Sequence, residues 1–383
     1  MKLNDCIAKW NMPGKQMLRF IALICILLCR AEAEAQQNNT TPPKRFRIGV
    51  STPLTGPAAT YGMDIWTSVQ FAAEQLGGDR FELIAEDDKC DPREGVSIAQ
   101  KFIHVEHVDA VIGPACSGPA AAAAPLYEQA ETLVMLTNAS AEKLADAGDY
   151  IFRSKPSDAE IIRTLWSYLR AHSKKLGLLC EQTDFALGMR DVLLRLNADG
   201  ALAIVEEDFL PGTTDFRTAL LKFRSAAIDG LLILPQAEAG LALALQQVRA
   251  MNWQVQIYGA HFPQSPTFLK LAGSNAEGII FAATPFVEDI LGNEGINLYH
   301  GYTAKYGEMR SIPLLFVTNF EGFRALRDSL LAPGGPRQHL YSATFRGIFG
   351  DYSFDKQGEI AGIRYQLKTI KSGRAVLLPL SQP

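Results

Sequence analysis

The sequence predicts an α/β protein of two doubly wound lobes, each a parallel sheet with helices on both faces, and three observations carry that prediction. Short apolar strands alternate strictly with helical patterns from residue 46 to residue 259, an order that builds parallel sheets covered on both sides. The alternation comes in two runs, broken at Arg153-Ser154-Lys155-Pro156-Ser157. The chain has 383 residues, more than one hydrophobic core usually serves.

The first run opens with a strand over residues 46–51 (FRIGVS) and a Pro/Gly loop over 52–62. A helix follows to about Leu76, with Ile65, Val69, Ala72, Ala73 and Leu76 on one face, the spacing of an amphipathic helix. Strands are expected at 81–85, 110–112 and 133–136, separated by helices at 95–104 and 119–130. The second run reads as helix 159–172, strand 176–180, helix 187–199, strand 203–207, helix 216–226, strand 230–234, helix 239–251 and strand 256–259. Open parallel sheets bind ligands beyond the carboxyl ends of their strands. The loops to inspect are therefore 52–62, 113–118, 137–141, 181–186, 235–238 and 260–264.

The N-terminus reads as an export signal. Lys15 and Arg19 precede the apolar run 20–29 (FIALICILLC), about half the length that crosses a bilayer. Ala33-Glu34-Ala35 is the small-x-small pattern of a cleavage site. Residues 1–35 are thus expected to be a signal peptide and residues 36–44 a polar tether, with Met12 and Met17 as alternative starts. A lipid anchor at Cys25 or Cys29 is disfavoured, because Ile24 and Leu28 precede them. No later segment is apolar enough over a spanning length, so an exported, soluble protein is expected. Residues 1–35 carry five basic and three acidic side chains, so their removal moves the net charge from −4 to −6. A mildly acidic chain without basic clusters argues against nucleic acid and against an anionic membrane surface.

Three cysteines remain after that cleavage. Cys90 and Cys116 lie at the mouths of two consecutive strand–helix units, and in an oxidising compartment they could pair. That bond would close a loop of about 25 residues and stabilise the fold by about 3 kcal/mol. Cys180 ends the apolar run LGLLC and reads as a buried thiol. The alternative is that all three are simply buried thiols.

Catalytic and metal signatures are weak. His104 and His107 lie three apart on an expected helix without a third ligand nearby, which reads as a solvated surface. Asp87 and Asp88 are adjacent on a strand, so they point to opposite faces and suit caps or loop hydrogen bonds. No nucleophile elbow, phosphate loop or zinc motif is present. The expectation is a binding protein, with no cofactor and no metal, and not an enzyme.

The loops carry a resemblance. Ile48-Gly49-Val50, Leu54-Thr55-Gly56-Pro57-Ala58, Tyr61-Gly62, the cysteine segment from Asp88 to Pro92, and Val111-Ile112-Gly113 with Cys116-Ser117 together resemble the bacterial periplasmic branched-chain amino-acid binding proteins. These are type I periplasmic solute-binding proteins of ABC transporters, and the likeness covers nearly all of the mature chain. It implies a periplasmic monomer whose lobes, joined by three crossovers, close on a small molecule and pass it to a membrane permease. The crossovers would fall near residues 153–157, 281–285 and 345–349. Lobe 1 would then hold residues 45–155 with 284–347, and lobe 2 residues 156–283 with 348–383. A soluble sensor of the same fold, feeding a receptor or kinase, is the alternative.

The resemblance also implies a pocket. The position of Ser117 binds the ligand carboxylate, where a hydroxyl and the N-terminus of the next helix form an anion cradle. Ala139 and Ser140 match a backbone carbonyl and a hydroxyl that contact the ligand's carboxylate and amino group. Tyr61 matches an aromatic residue packed on the ligand, and Gln236 is a polar contact from a further loop. The second lobe departs from the family pattern. Phe185 stands where a tyrosine is common, and His261 where a glutamate neutralises the ligand's ammonium. Neutral imidazole is no counter-ion, and an unpaired buried ammonium is costly. A carboxylate lacking an amino group is therefore expected in preference to an amino acid, unless Asp184 or Glu238 supplies the missing charge.

Overall fold

Every strand expected in the first run is present, and a short fifth one at Ile151–Arg153 joins them. The computed structural model describes residues 44–379. The signal-peptide reading of residues 1–35, and the tether up to residue 43, lie outside the described residues. All elements below belong to one unit beginning at Phe46.

The first lobe is built from β1 (Phe46–Thr52), α1 (Ala59–Leu76), β2 (Phe81–Asp87), α2 (Pro92–His104), β3 (Ala110–Ile112), α3 (Ser117–Gln129), β4 (Leu133–Leu136) and β5 (Ile151–Arg153). These strands form one parallel sheet in the order β2-β1-β3-β4-β5. Ile48 and Val50 of β1 are buried, because this central strand is covered on both faces. Two glycines are obligatory for the loops at its carboxyl edge. At Gly62 a β-carbon would come within 1.7 Å of the Pro53 carbonyl oxygen, and at Gly113 (φ +95°) within 2.1 Å of the Ser51 carbonyl oxygen. The first lets α1 close on the loop before it, and the second turns the chain sharply out of β3.

The second lobe contains α4 (Ala159–His172), β6 (Lys175–Glu181), α5 (Asp184–Leu196), β7 (Ala203–Phe209), α6 (Arg217–Ser225), β8 (Gly230–Leu234), α7 (Glu238–Ala250), β9 (Gln256–Gly259), α8 (Pro266–Ala272) and β10 (Ile280–Ala283). After a return to the first lobe the chain adds β13 (Gln366–Lys371) and β14 (Arg374–Leu377). The sheet order is β14-β13-β10-β9-β8-β6-β7. Strands β6 to β10 run parallel, while β13 and β14 are antiparallel. This edge departs from an all-parallel expectation. β13 re-enters antiparallel to β10 after the long return to the first lobe, and Ser372 and Gly373, both at positive φ (52° and 73°), form the two-residue turn that joins it to β14.

Between β10 and β13 lie α9 (Val287–Ile290), α10 (Asn293–Tyr306), α11 (Leu314–Leu331), α12 (Pro336–Ser342) and the hairpin β11 (Phe345–Gly347) and β12 (Gly350–Tyr352). Helix α11 is buried around much of its circumference. Its Phe316 and Phe320 pack on Phe71 of α1 at 6.0 and 6.3 Å, and its Gly322 faces Met135 and Thr137. The hairpin and the segment after it stay with the first lobe. The Tyr352 hydroxyl donates to the Glu321 carbonyl (3.0 Å), Phe354 meets Phe152 at 5.6 Å, and Arg153 pairs with Glu359. The chain thus crosses between the sheets three times, giving two doubly wound lobes.

Candidate functional site

Both sheets present their strand carboxyl ends to one cleft. A small inner chamber of about 30 Å³ lies there, lined from the first lobe by Pro53, Ala58, Tyr61, Ala115, Cys116, Ser117, Asn138 and Lys155. The second lobe adds Phe185, Gln236, His261 and Phe262. Each follows the end of a strand: β1, β3, β4, β5, β6, β8 or β9. The arrangement obeys the rule for open parallel sheets, applied twice and face to face. A larger cavity of about 600 Å³ adjoins it and shares Ala58, Cys116 and Gln236.

Cys90 and Cys116 form a disulfide, with Cα atoms 5.4 Å apart, and Cys180 is a buried free thiol. The turn carrying Cys90 is held by the two neighbouring carboxylates. Asp88 accepts from the Cys90 amide (2.9 Å) and the Ser51 hydroxyl (2.9 Å). Asp87 accepts from the Leu54 amide (2.8 Å) and the Thr55 hydroxyl (2.6 Å). The pair therefore acts as two loop anchors, tying the β2–α2 turn to the loop that leads to Tyr61.

Ser117 begins α3 and is buried; its Oγ accepts from the Ala141 amide (3.2 Å), so its own hydroxyl proton can still be donated to a guest. Tyr61 and Phe262 meet edge-on at 6.2 Å, and Phe185 lies 5.8 Å from His261 and 5.9 Å from Phe262. These rings form an apolar wall. Gln236 donates its backbone N–H to Glu181 (2.6 Å), leaving its side chain on the boundary of both cavities.

One buried polar atom here, His261 Nδ1, has no hydrogen-bond partner, and the Tyr61 hydroxyl faces the Glu238 carboxylate. Burial raises the Tyr61 phenol well above its ordinary pKa, with the nearby Glu238 carboxylate adding to the effect. Burial, and then the charge of Lys155, hold His261 well below its ordinary value. The imidazole is therefore neutral at pH 7. Unsatisfied donors and acceptors at a buried site cost about 1–3 kcal/mol each, and a polar guest in the chamber would relieve that cost.

Two residues expected at the site stand back from the chamber. Ala139 and Ser140 are buried but do not line the chamber. The Ser140 hydroxyl donates to Asp158 Oδ2 (2.7 Å) and accepts from Lys155 Nζ (3.0 Å), so it is engaged behind the wall. Asn138 takes the place at the surface of the chamber, its Nδ2 held by the Ala115 carbonyl (3.0 Å). The more consequential addition is Lys155, which the sequence reading assigned only to the break between lobes. Its Nζ also donates to the Asn138 carbonyl (3.3 Å) and sits 3.7 Å from Asp158 Oδ1. Burial pushes its pKa down. Asp184, considered as a counter-ion, instead meets Lys143 at the rim (2.5 Å). Glu238 is buried beside Tyr61 and Ser265, outside the chamber lining.

The lobes also touch at their rims. Glu142 of the first lobe meets Arg163 (2.9 Å) and Arg195 of the second. On the opposite side the Thr267 hydroxyl donates to the Arg310 carbonyl (2.5 Å). Among the described residues, no group of three or more His, Cys, Asp or Glu side chains is placed to hold a metal ion. No described helix is long and apolar enough to cross a membrane.

A family model described as periplasmic binding protein matches residues 45–359. The Leu/Ile/Val-binding protein of Citrobacter freundii is 23% identical over 372 residues, spanning 93% of this chain and 96% of that protein. A solved leucine-binding protein from Thermotoga maritima aligns with a TM-score of 0.78 at 19% identity, covering 87% of this chain and 97% of that one. A solute-binding protein of an ABC transporter from R. palustris, solved with benzoate, aligns with the same TM-score and identity, covering 87% and 95%. The structural likenesses establish the type I fold, and the family model establishes more. The chain belongs to the periplasmic binding protein family, whose members bind solutes and are not enzymes.

Proposed function

We propose that the two lobes close on a small carboxylate-bearing solute outside the cytoplasm, and that the closed monomer delivers it to an ABC permease. The observation that carries this reading is the shared chamber, where Ser117 at the start of α3 and Tyr61 of α1 face Phe185, Gln236 and His261 across the cleft. A carboxylate at Ser117 gains the hydroxyl, the first amides of α3 and the favourable end of that helix dipole. Tyr61 and Phe185 pack on the body of the solute, and Gln236 and His261 offer polar contacts. Ala139 and Ser140 act from behind, by holding Asn138 and Lys155. Lobe boundaries follow the two sheets, with the third crossover at residues 361–365. That is later than 345–349, because β11, β12 and Phe354 pack on the first lobe.

The test is a thermal-shift screen of amino acids, aliphatic and aromatic carboxylates, sugars and polyamines. A solute that binds only the folded state stabilises it by about 2.7 kcal/mol at 100 times its Kd. The expected result is a raised Tm with a carboxylate. A panel in which only a sugar or a polyamine raises Tm would overturn the proposal.

A further inference from the structure

We infer that Lys155 makes the chamber an anion site that selects against ammonium groups, so that its solute is a carboxylate on an apolar body with no amino group. The inference rests on the carboxylate reading above and narrows it. Among the described residues, Lys155 is the only lysine, arginine, aspartate or glutamate that lines the inner chamber. It is 6% exposed and reaches the chamber from the first crossover, immediately before Pro156. The atoms that hold it at hydrogen-bond distance, the Ser140 hydroxyl and the Asn138 carbonyl, are neutral. The one carboxylate close by, Asp158, lies outside the chamber lining and pairs with Lys155 through Oδ1 at 3.7 Å. It takes the Ser140 hydroxyl on one oxygen and feels Arg153 as well as Lys155.

The acids across the cleft are not placed to receive an ammonium in the chamber. Glu181 accepts the Gln236 amide and faces the outer cavity. Asp184 is paired with Lys143, and Glu238 lies behind Tyr61, outside the lining. An α-amino acid would therefore bring its ammonium into a low-dielectric chamber lined by a lysine and by no carboxylate to receive it. A carboxylate meets the opposite situation. It gains a charge-assisted hydrogen bond from Lys155 and donation from Ser117. His261 remains for a second polar group, and Tyr61, Phe185 and Phe262 enclose the apolar body.

Isothermal titration of the wild-type protein with acids matched in carbon skeleton tests this directly: 4-methyl-2-oxopentanoate against leucine, and 3-phenylpropanoate against phenylalanine. The amino-free member of at least one pair should bind about tenfold or more tighter than its partner, as expected for an unpaired ammonium beside a like charge. Lys155→Met should abolish most of that preference while leaving the far-ultraviolet circular dichroism unchanged, and Lys155→Arg should retain it. If leucine or phenylalanine binds and neither amino-free acid binds more tightly than its partner, the inference is overturned and the carboxylate reading stands. If no acid of either kind binds, the carboxylate reading fails and this inference falls with it.

Discussion

Breaking the Cys90–Cys116 disulfide should cost this protein much of its stability while leaving the site recognisable. The two cysteines are 26 residues apart. Closing a loop of that length removes unfolded-state entropy worth about 3.5 kcal/mol at 25 °C, a large share of the 5–15 kcal/mol typical of a folded domain. The native turn has other supports. Asp88 holds the Cys90 amide and Ser51, and Asp87 holds Leu54 and Thr55. The loss should therefore come mainly from a less constrained unfolded chain. Urea unfolding of the Cys90→Ser/Cys116→Ser variant, followed by fluorescence, should show a lower midpoint and a steeper denaturant dependence, since the freed chain exposes more surface. The third cysteine does not confuse the experiment in the native state, because burial pushes the Cys180 thiol up to about 12 and so keeps it unreactive. Ligand affinity should fall by much less than stability. A stability loss under about 1 kcal/mol would refute the loop-entropy reasoning. A complete loss of binding in a folded variant would show that the bond, rather than the aspartates, positions Ser117.

Asp64 accepts hydrogen bonds from the Arg310 amide (2.9 Å), the Ser311 amide (2.7 Å) and the Ser311 hydroxyl (2.6 Å) while buried. Asp64→Ala should therefore cost about 3 kcal/mol by leaving those donors unmet, measured as a urea midpoint; a loss below about 1 kcal/mol would contradict this. Lys368 is fully buried, donates to Gln264 Oε1 (2.6 Å) and the Thr284 carbonyl (2.7 Å), and burial pushes its pKa down to about 7. The unfolded value is near 10.4, so between about pH 7 and pH 10 the unfolded chain holds the extra proton and stability rises with pH. Tm should climb over that window in the wild type and climb less in Lys368→Met; equal slopes would show that the lysine keeps its charge in the folded state.

Legibility in the sequence followed physical causes that differ along the chain. From 46 to 259 the strands were short apolar runs and the helices period-3.6 patterns bounded by turn residues, and among the strands only β5, three residues long, was not visible by itself. Beyond residue 259 local pattern failed. Helix α11 is apolar around most of its surface because it is wedged between α1 and β4, and a helix without a polar face gives no amphipathic signal. The β13–β14 hairpin joined a sheet otherwise built from residues far earlier in the chain, a long-range pairing that no local window contains.

The site divides in the same way, and the division explains why its charge was missed. Every chamber residue follows a strand end, so the loops could be located from alternation alone. Which side chain of a loop faces inward depends on the local turn, and after β4 that turn brings Asn138 forward and puts Ser140 behind it. Lys155 is the sharper case. In sequence it is a polar residue beside a proline in a linker, and such lysines are mostly solvated. It is buried here because the crossover between lobes passes directly under the cleft, with Ser140 and the Asn138 carbonyl holding its ammonium. Under the proposed reading, Lys155 and Ser117 meet the solute's carboxylate from the first lobe and its crossover, while Phe185 and His261 meet its body from the second lobe.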